Sequence, residues 1–265
     1  MTTWFRGLAT RRQFFVAGVV LLVAAVACVL AVSILGGRAR LPAGLPAQGR
    51  PGPVLLVPGY GGSTSALSVL ARHIRATGRA ATVLRLPGNG TGSLIRDAGA
   101  LNDAVARALR GGAPSVDVIG YSAGGVATLV WAREDDGDRK ARRVITLGSP
   151  FHGTALAAAA QGFAPGACPA ACAQLVPGSS LLAGLAAGTP GHLPWLSLWT
   201  TGDQTVTPPD SARLAGAINV PIQSVCPRQR ISHAQLPTSP AVTAMVLRAI
   251  GPGPIRPPAP ADCRG

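Results

Sequence analysis

Short apolar runs alternate along this chain with stretches in which apolar residues recur every three or four positions. The apolar runs predict β-strands at residues 53–57, 81–86, 115–119, 143–147, 196–200 and 222–225. The periodic stretches predict helices at residues 65–77, 95–109, 126–131 and 240–250. Strands and helices that alternate in this way form a mostly parallel sheet with helices on both faces. We therefore expect an α/β domain with about six strands over residues 54–250.

An uncharged segment precedes this domain. Residues 14–35 carry no charged side chain, and about 20 apolar residues are enough for a helix to span a bilayer. The segment is longer than the apolar core of a usual signal peptide and no clear A-x-A cleavage site follows it, which favours an uncleaved membrane anchor. Three arginines lie within residues 1–13, so the positive-inside rule favours a basic, cytoplasmic N-terminus. Residues 10–15 also resemble a twin-arginine export signal, which makes a cleaved signal helix the alternative. Both interpretations predict an extracytoplasmic domain, held at the membrane or secreted.

Two irregular segments flank the predicted domain. Residues 36–53 are rich in Gly, Pro and Arg and have no periodicity, which predicts a linker. Residues 251–265 are rich in Pro and predict an irregular C-terminal tail.

The charge balance is strongly basic, with 24 Lys and Arg against 10 Asp and Glu and a formal net charge of +14. A basic surface of this kind is attracted to an anionic membrane or cell wall. The alternative is that the many arginines reflect a GC-rich coding sequence. The basic residues are scattered and only 4% of residues are aromatic, so we expect no nucleic-acid partner. We expect a monomer.

Four cysteines lie in the predicted domain and tail, as befits an exported protein. Of the three possible pairings, we favour Cys168 with Cys172 and Cys226 with Cys263. The first would close a tight loop and the second would tie down the tail. No companion His or Cys accompanies the close pair, so we expect no zinc site and no other metal or cofactor.

Residues 120–124 read G-x-S-x-G and join a β-branched strand to a helix. This context predicts a turn that pushes the hydroxyl of Ser122 out over the end of the sheet. A Cβ at Gly120 or Gly124 would clash in so tight a bend. The alternative is a glycine-rich turn that contains a serine by chance.

A serine becomes a strong nucleophile only when a base takes its proton and an acid orients that base. His233 is the only histidine after the candidate acid Asp203, and each lies in a loop that follows a predicted strand. We therefore predict Asp203 as the acid and His233 as the base. Asp210 is the alternative acid, although Pro208 and Pro209 suggest that it caps the next helix.

The negative oxygen formed in such a reaction needs two hydrogen-bond donors. We expect the N–H of Ala123, which follows the serine, and the N–H of Tyr60, in the glycine loop after the first strand. The candidates for the substrate pocket also lie in strand-end loops: Gly59, Tyr121, Phe151 and His152.

These motifs together resemble small secreted or membrane-anchored bacterial lipases and esterases, of the class 2 lipase type, in the α/β-hydrolase superfamily. The matching segments are residues 54–62, 116–125, 146–154, 202–206 and 232–233. The resemblance implies that Ser122, His233 and Asp203 form a catalytic triad, with Tyr60 and Ala123 as oxyanion donors. The family usually has His-Gly where this chain has Pro58-Gly59, which puts the geometry of that loop in question.

The resemblance implies a serine carboxylic-ester hydrolase that acts on lipid or other apolar esters. An acyltransferase that uses an envelope alcohol, or a non-catalytic binding protein on the same fold, are the alternatives. Residues 155–193 separate two strands and are rich in Ala, Gly and Leu. They form a lid, a wall of the acyl pocket or a plain surface excursion.

Overall fold

The computed structural model describes residues 16–17, 19–24, 26–27 and 44–264. The chain divides into two units, residues 1–40 and 41–265. The described residues of the first unit are helical. Among all described residues, no helix has both the length and the apolar character needed to cross a membrane. Much of the predicted anchor at residues 14–35, together with residues 1–13, lies outside the described residues.

Six parallel strands form one sheet in the order β2-β1-β3-β4-β5-β6. The strands are β1 (Val54–Val57), β2 (Ala81–Val83), β3 (Val116–Tyr121), β4 (Ala141–Leu147), β5 (Trp195–Trp199) and β6 (Ile218–Pro221). The helices are α1 (Ser65–Ala76), α2 (Leu94–Arg110), α3 (Ala123–Glu134), α4 (Gly137–Lys140), α5 (Ala155–Phe163), α6 (Ala170–Gln174), α7 (Ser180–Leu185), α8 (Ile222–Val225) and α9 (Pro240–Ile250). The predicted α/β class and parallel sheet are confirmed.

Helices cover both faces of the sheet because successive strand side chains point to opposite sides. In β1, Val54 and Leu56 pack with α1 and α9, whereas Leu55 and Val57 pack with α2 and α3. The strand is therefore apolar at every position, as expected of a strand buried on both faces.

The last strand lies earlier than predicted. It is β6, and the predicted strand at residues 222–225 is instead the helical turn α8. Ile222 is fully buried in this helical turn. A short segment with buried apolar residues cannot be assigned to a strand or a helix from its sequence pattern alone, which explains the wrong prediction. Asn219, within β6, binds the N–H and the carbonyl of Leu214 through its side chain, and this polar residue obscured the strand.

Both predicted disulfides are present. Cys168 is bonded to Cys172, and Cys226 is bonded to Cys263. The second bond fastens the tail to the end of α8, and the tail itself ends in a 3₁₀ turn, Pro260–Arg264, rather than being irregular throughout.

A buried ionic cluster lies at the edge of the sheet where the strands begin. Arg142 in β4 contacts both carboxylate oxygens of Asp117 in β3, and Arg79 donates to one of them at 2.8 Å. Asp117 and Arg142 are fully buried.

The same cluster contacts the end of α9. Arg79 and Arg142 also donate to the carbonyl of Ile250, at 2.8 and 2.6 Å, and Arg143 donates to that of Ala249. The arginines thereby satisfy the carbonyls at the end of α9 and complement its dipole.

Burial, followed by the charge of the neighbouring Arg142, lowers the pKa of Arg143 to about 10. The side chain therefore remains positive at neutral pH, and Asp117 is the one acid in contact with this cluster among the described residues.

Asp117→Asn should strongly destabilise the fold. It removes the charge that compensates buried arginines, and breaking such a pair costs about 3–5 kcal/mol. Urea denaturation of the full chain measures the effect. Asp103→Asn, at an exposed position of α2, is the matched control and should change the free energy of unfolding by less than about 0.5 kcal/mol. Equal stability of the two variants would contradict this role for Asp117.

A second buried carboxyl, Asp97 in the first turn of α2, has no such partner. It is 2% exposed, and its Oδ1 has no hydrogen bond. Burial, opposed in part by the positive charge of Arg96, raises the pKa of Asp97 to about 6. The folded protein therefore binds a proton at Asp97 more tightly than the unfolded chain does. Stability should fall as pH rises from about 4 to about 6, where the side chain loses that proton.

Asp97→Asn should remove this pH dependence. The free energy of unfolding of the variant, minus that of wild type, should rise by up to about 3 kcal/mol between about pH 4 and pH 6 and then stay constant. Urea denaturation at several pH values measures the difference, with Asp103→Asn as the control from the same helix. A difference that does not vary with pH would show that Asp97 ionises normally.

Candidate active site

Ser122 lies at an abrupt turn between β3 and α3. Its φ of 53° and ψ of −129° are rarely adopted by a residue with a Cβ, so the backbone is strained there. The Ser122 N–H donates to the carbonyl of Leu147 at 2.9 Å, which ties the turn to the end of β4. The serine side chain remains partly exposed.

Glycines allow this turn to form. A Cβ at Gly120 would lie 2.5 Å from the Cα of Gly125. A Cβ at Gly124 would overlap the carbonyl oxygens of Val57 and Pro58. The start of α3 is therefore in direct contact with the end of β1, and the prediction that neither Gly120 nor Gly124 tolerates a Cβ is confirmed.

His233 and Asp203 form a buried hydrogen-bonded pair. Nδ1 of His233 lies 2.6 Å from Oδ2 of Asp203. The other carboxylate oxygen accepts the N–H of Thr205 at 2.9 Å and that of Val206 at 2.8 Å. Both oxygens are therefore occupied, so the carboxylate holds the imidazole by Nδ1 and leaves Nε2 as the nitrogen able to exchange a proton.

Local turns position the two residues. Asp203 follows β5, and the bonds that its carboxylate accepts from the amides two and three residues later, those of Thr205 and Val206, close a tight turn around it. His233 begins the 3₁₀ turn His233–Gln235, whose start is capped by reciprocal bonds between Ser232 and Gln235. The alternative acid, Asp210, is exposed within the 3₁₀ turn Pro209–Ala212 and makes no hydrogen bond to His233.

Tyr121 and Gly148 connect His233 to the Ser122 turn. The rings of Tyr121 and His233 have centroids 5.1 Å apart, and the Tyr121 hydroxyl donates to the His233 carbonyl at 3.3 Å. Burial, followed by the negative charge of Asp203, raises the pKa of Tyr121 to about 12, so the hydroxyl stays a donor at neutral pH.

Gly148 follows Leu147, the acceptor of the Ser122 N–H. A Cβ at Gly148 would lie 3.1 Å from Nδ1 and Cε1 of His233, so the imidazole packs beside the Ser122 turn. The Ser122 and His233 side chains share no hydrogen bond in this structure. Bonds of that kind are often long without substrate and tighten when substrate binds.

The two predicted oxyanion donors flank Ser122. A Cβ at Gly59 would come within 2.9 Å of the Ser122 Cβ and 3.5 Å of its Oγ, so the loop that carries Tyr60 lies against the serine. Ala123 is the first residue of α3, where an N–H has no partner within the helix. In the part of the chain that the structure describes, neither N–H donates to a backbone carbonyl.

An apolar cavity of about 200 Å³ opens beside Ser122 and Tyr60. Its apolar walls include Leu156, Ala157, Ala160, Leu175 and Val206. Four of these five residues lie within residues 155–193, for which a wall of the acyl pocket was one of the predicted alternatives. The individual side chains could not be predicted, because α5 and the segment after α6 approach the serine only in the folded chain. The alanine-rich composition of residues 155–160 was the one signal in the sequence for these positions, because small side chains allow a helix to approach the serine closely.

Most of the predicted pocket residues lie elsewhere. Phe151 is buried in the core, with its ring centroid 6.3 Å from that of Trp195. His152 is exposed and turns its Nδ1 to the carbonyl of Ser211 at 3.1 Å. Tyr121 packs on His233 rather than facing the cavity. Gly59 lies against Ser122 but has no side chain with which to line the space.

The described residues contain no group of three or more His, Cys, Asp or Glu arranged to hold a metal ion.

Solved structures resemble this protein in fold. Aspergillus fumigatus lipase B aligns with a TM-score of 0.65 and 19% identity, over 82% of this chain and 57% of that chain. The chain has the α/β-hydrolase fold. Mature Bacillus licheniformis lipase BlEst2 aligns with a TM-score of 0.54 and 21% identity, over 68% of this chain and 85% of that one. An extracellular α/β-hydrolase from a Paenibacillus species aligns with a TM-score of 0.51 and 14% identity, over 75% and 99%.

The α/β-hydrolase fold predicted from the motifs is thereby confirmed. This chain spans only 57% of the length of the Aspergillus lipase, and identities this low bear on the fold alone. No protein-family model and no curated protein matches the sequence.

Gly59→Ala should suppress the reactivity of Ser122 in this protein. The added methyl would press on the serine side chain and displace either the hydroxyl or the loop. We expect the rate of labelling by a serine-directed fluorophosphonate to fall at least tenfold, a loss of about 1.4 kcal/mol of transition-state stabilisation. Gly92→Ala, where a Cβ meets nothing within 4 Å, is the matched control. Unchanged labelling of Gly59→Ala would show that the loop does not abut the reactive hydroxyl.

Proposed function

We propose that this protein is a serine carboxylic-ester hydrolase that cleaves lipid or other apolar esters through an acyl-enzyme. One observation carries the proposal: the buried 2.6 Å pair of His233 and Asp203 lies beside the strained turn that presents Ser122. An acid that fixes a base next to an exposed hydroxyl is the arrangement that serine hydrolysis requires.

The first half of the proposed reaction forms the acyl-enzyme. Nε2 of His233 takes the proton of Ser122 as its Oγ attacks the ester carbonyl carbon. The carbonyl oxygen becomes negative and accepts hydrogen bonds from the N–H groups of Tyr60 and Ala123. Removing one such donor typically slows a reaction of this kind about 10²–10³-fold.

The second half releases the acid. The tetrahedral intermediate collapses, and His233 gives its proton to the oxygen of the leaving alcohol. A water molecule then attacks the acyl carbon while His233 accepts a proton from it, and the collapse of the second intermediate returns the proton to Ser122. Asp203 stays ionised throughout and stabilises the positive imidazole.

The apolar cavity supports an ester with an apolar part, because it offers carbon surface directly beside Ser122. The names of the solved neighbours, two of them lipases, agree with this class of substrate.

Substitutions at the three residues should have unequal effects on the hydrolysis of p-nitrophenyl butanoate. Ser122→Ala should lower kcat by about 10⁵–10⁶-fold, because the nucleophile is lost. Asp203→Asn should lower it by about 10³–10⁴-fold, because the imidazole loses its orientation. Asp210→Asn is the control that separates the two candidate acids, and its kcat should equal that of wild type. Equal rates for wild type and Ser122→Ala would refute the proposal, and a larger loss for Asp210→Asn than for Asp203→Asn would reassign the acid.

A further inference from the structure

One wall of the cavity beside Ser122 is formed by the alanine-rich helix α5. Ala157 and Ala160 lie one helical turn apart on the same face, and both line the cavity. Ala158 and Ala159 between them are exposed and do not line it. The two lining positions therefore present methyl groups, the smallest side chains apart from glycine, to whatever occupies the cavity.

The wall that α5 forms is anchored at its N-terminal end. Thr154, the N-cap of α5, donates its hydroxyl to the carbonyl of Thr205 at 2.8 Å, which links the helix to the loop after Asp203. Cys172, which also lines the cavity, is bonded to Cys168. A wall fixed in this way sets a definite limit on what fits.

The cavity suits the acyl part of an ester rather than the alcohol part. His233 has to reach the oxygen of the leaving alcohol in order to protonate it. The cavity is lined by Ser122 and by Tyr60 but not by His233. The alcohol therefore departs on the side of His233, and the acyl chain extends from Ser122 into the cavity.

The size of the cavity limits the length of that chain. Its volume of about 200 Å³ lies below the about 300–1,000 Å³ of sites that enclose a drug-sized ligand. If a methylene group takes roughly the 30 Å³ of a water molecule, the cavity holds about six such groups. Replacing one lining alanine by leucine adds three carbons, about 90 Å³, and would fill nearly half of the space.

We propose that Ala157 and Ala160 determine the acyl specificity of this protein, and that it acts on esters of straight acyl chains of about six carbons or fewer. This inference rests on the ester hydrolysis proposed above. Longer chains extend beyond the cavity into solvent, where an added methylene contributes no further binding.

The test compares kcat/KM for p-nitrophenyl esters from acetyl to dodecanoyl, each below its solubility limit, using the full chain. Wild type should gain about fourfold per methylene up to about hexanoyl and nothing beyond it. Ala160→Leu should lower the ratio of hexanoyl to acetyl kcat/KM at least tenfold. Ala158→Leu, the same change at an exposed position of the same helix, should keep the wild-type ratio.

Two further measurements keep the test decisive. Titration with a small fluorophosphonate counts the folded, reactive molecules of each variant, so a poorly folded variant is not mistaken for an altered specificity. Ala157→Val, a smaller enlargement at the more buried position, should shift the ratio in the same direction as Ala160→Leu.

The possible outcomes separate this inference from the proposed function. Ester hydrolysis that depends on Ser122 but peaks at decanoyl or longer would overturn the inference and leave the proposed function intact. Identical ratios for Ala160→Leu and Ala158→Leu would do the same. No hydrolysis of any ester, and no reaction of Ser122 with the fluorophosphonate, would refute the proposed function and this inference with it.

Discussion

The contact between the start of α3 and the end of β1 is the constraint on which the candidate site depends. Gly124 lies so close to the carbonyls of Val57 and Pro58 that no Cβ fits between them. This approach forces the backbone of Ser122 into its strained conformation, and it brings the loop of Gly59 and Tyr60 against the serine. The candidate nucleophile and both candidate oxyanion donors are therefore positioned by one backbone contact rather than by separate interactions. Such strain persists only where the surrounding structure enforces it.

The candidate acid, Asp203, and the cavity wall are joined in a similar way. The hydroxyl of Thr154 donates to the carbonyl of Thr205, and the N–H of Ala155 donates to that of Thr207, so α5 is bonded to the loop that begins at Asp203. A shift of the wall would therefore disturb the turn whose amides hold the carboxylate. In the proposed enzyme, the same hydrogen bonds therefore position both the cavity wall and the loop of Asp203. Substitutions at the N-terminus of α5 should disturb catalysis more than substitutions on the exposed surface of this helix.

The sequence was informative wherever short-range chemistry dictates the structure. The strained G-x-S-x-G turn, the strand-end position of Asp203 and the spacing of Cys168 and Cys172 could all be recognised from neighbouring residues. Features that depend on tertiary contact were missed. From its sequence alone, Arg142 would be assigned to the surface. It is buried because its guanidinium group pairs with Asp117 of the adjacent strand, a contact that the local sequence does not reveal. The individual side chains that line the cavity and the true position of β6 likewise depend on packing between segments distant in the chain.

In the proposed enzyme, one tight turn places Ser122 between the amides of Tyr60 and Ala123, with the acyl cavity alongside. A crystal structure of the protein inactivated by a hexyl fluorophosphonate tests it most directly. We expect phosphorus bonded to the Oγ of Ser122, its free oxygen about 2.7–3.1 Å from both amides, and the hexyl chain inside the cavity. Phosphorus on another residue, or an oxygen that faces neither amide, would contradict this arrangement of Ser122 and the two amides.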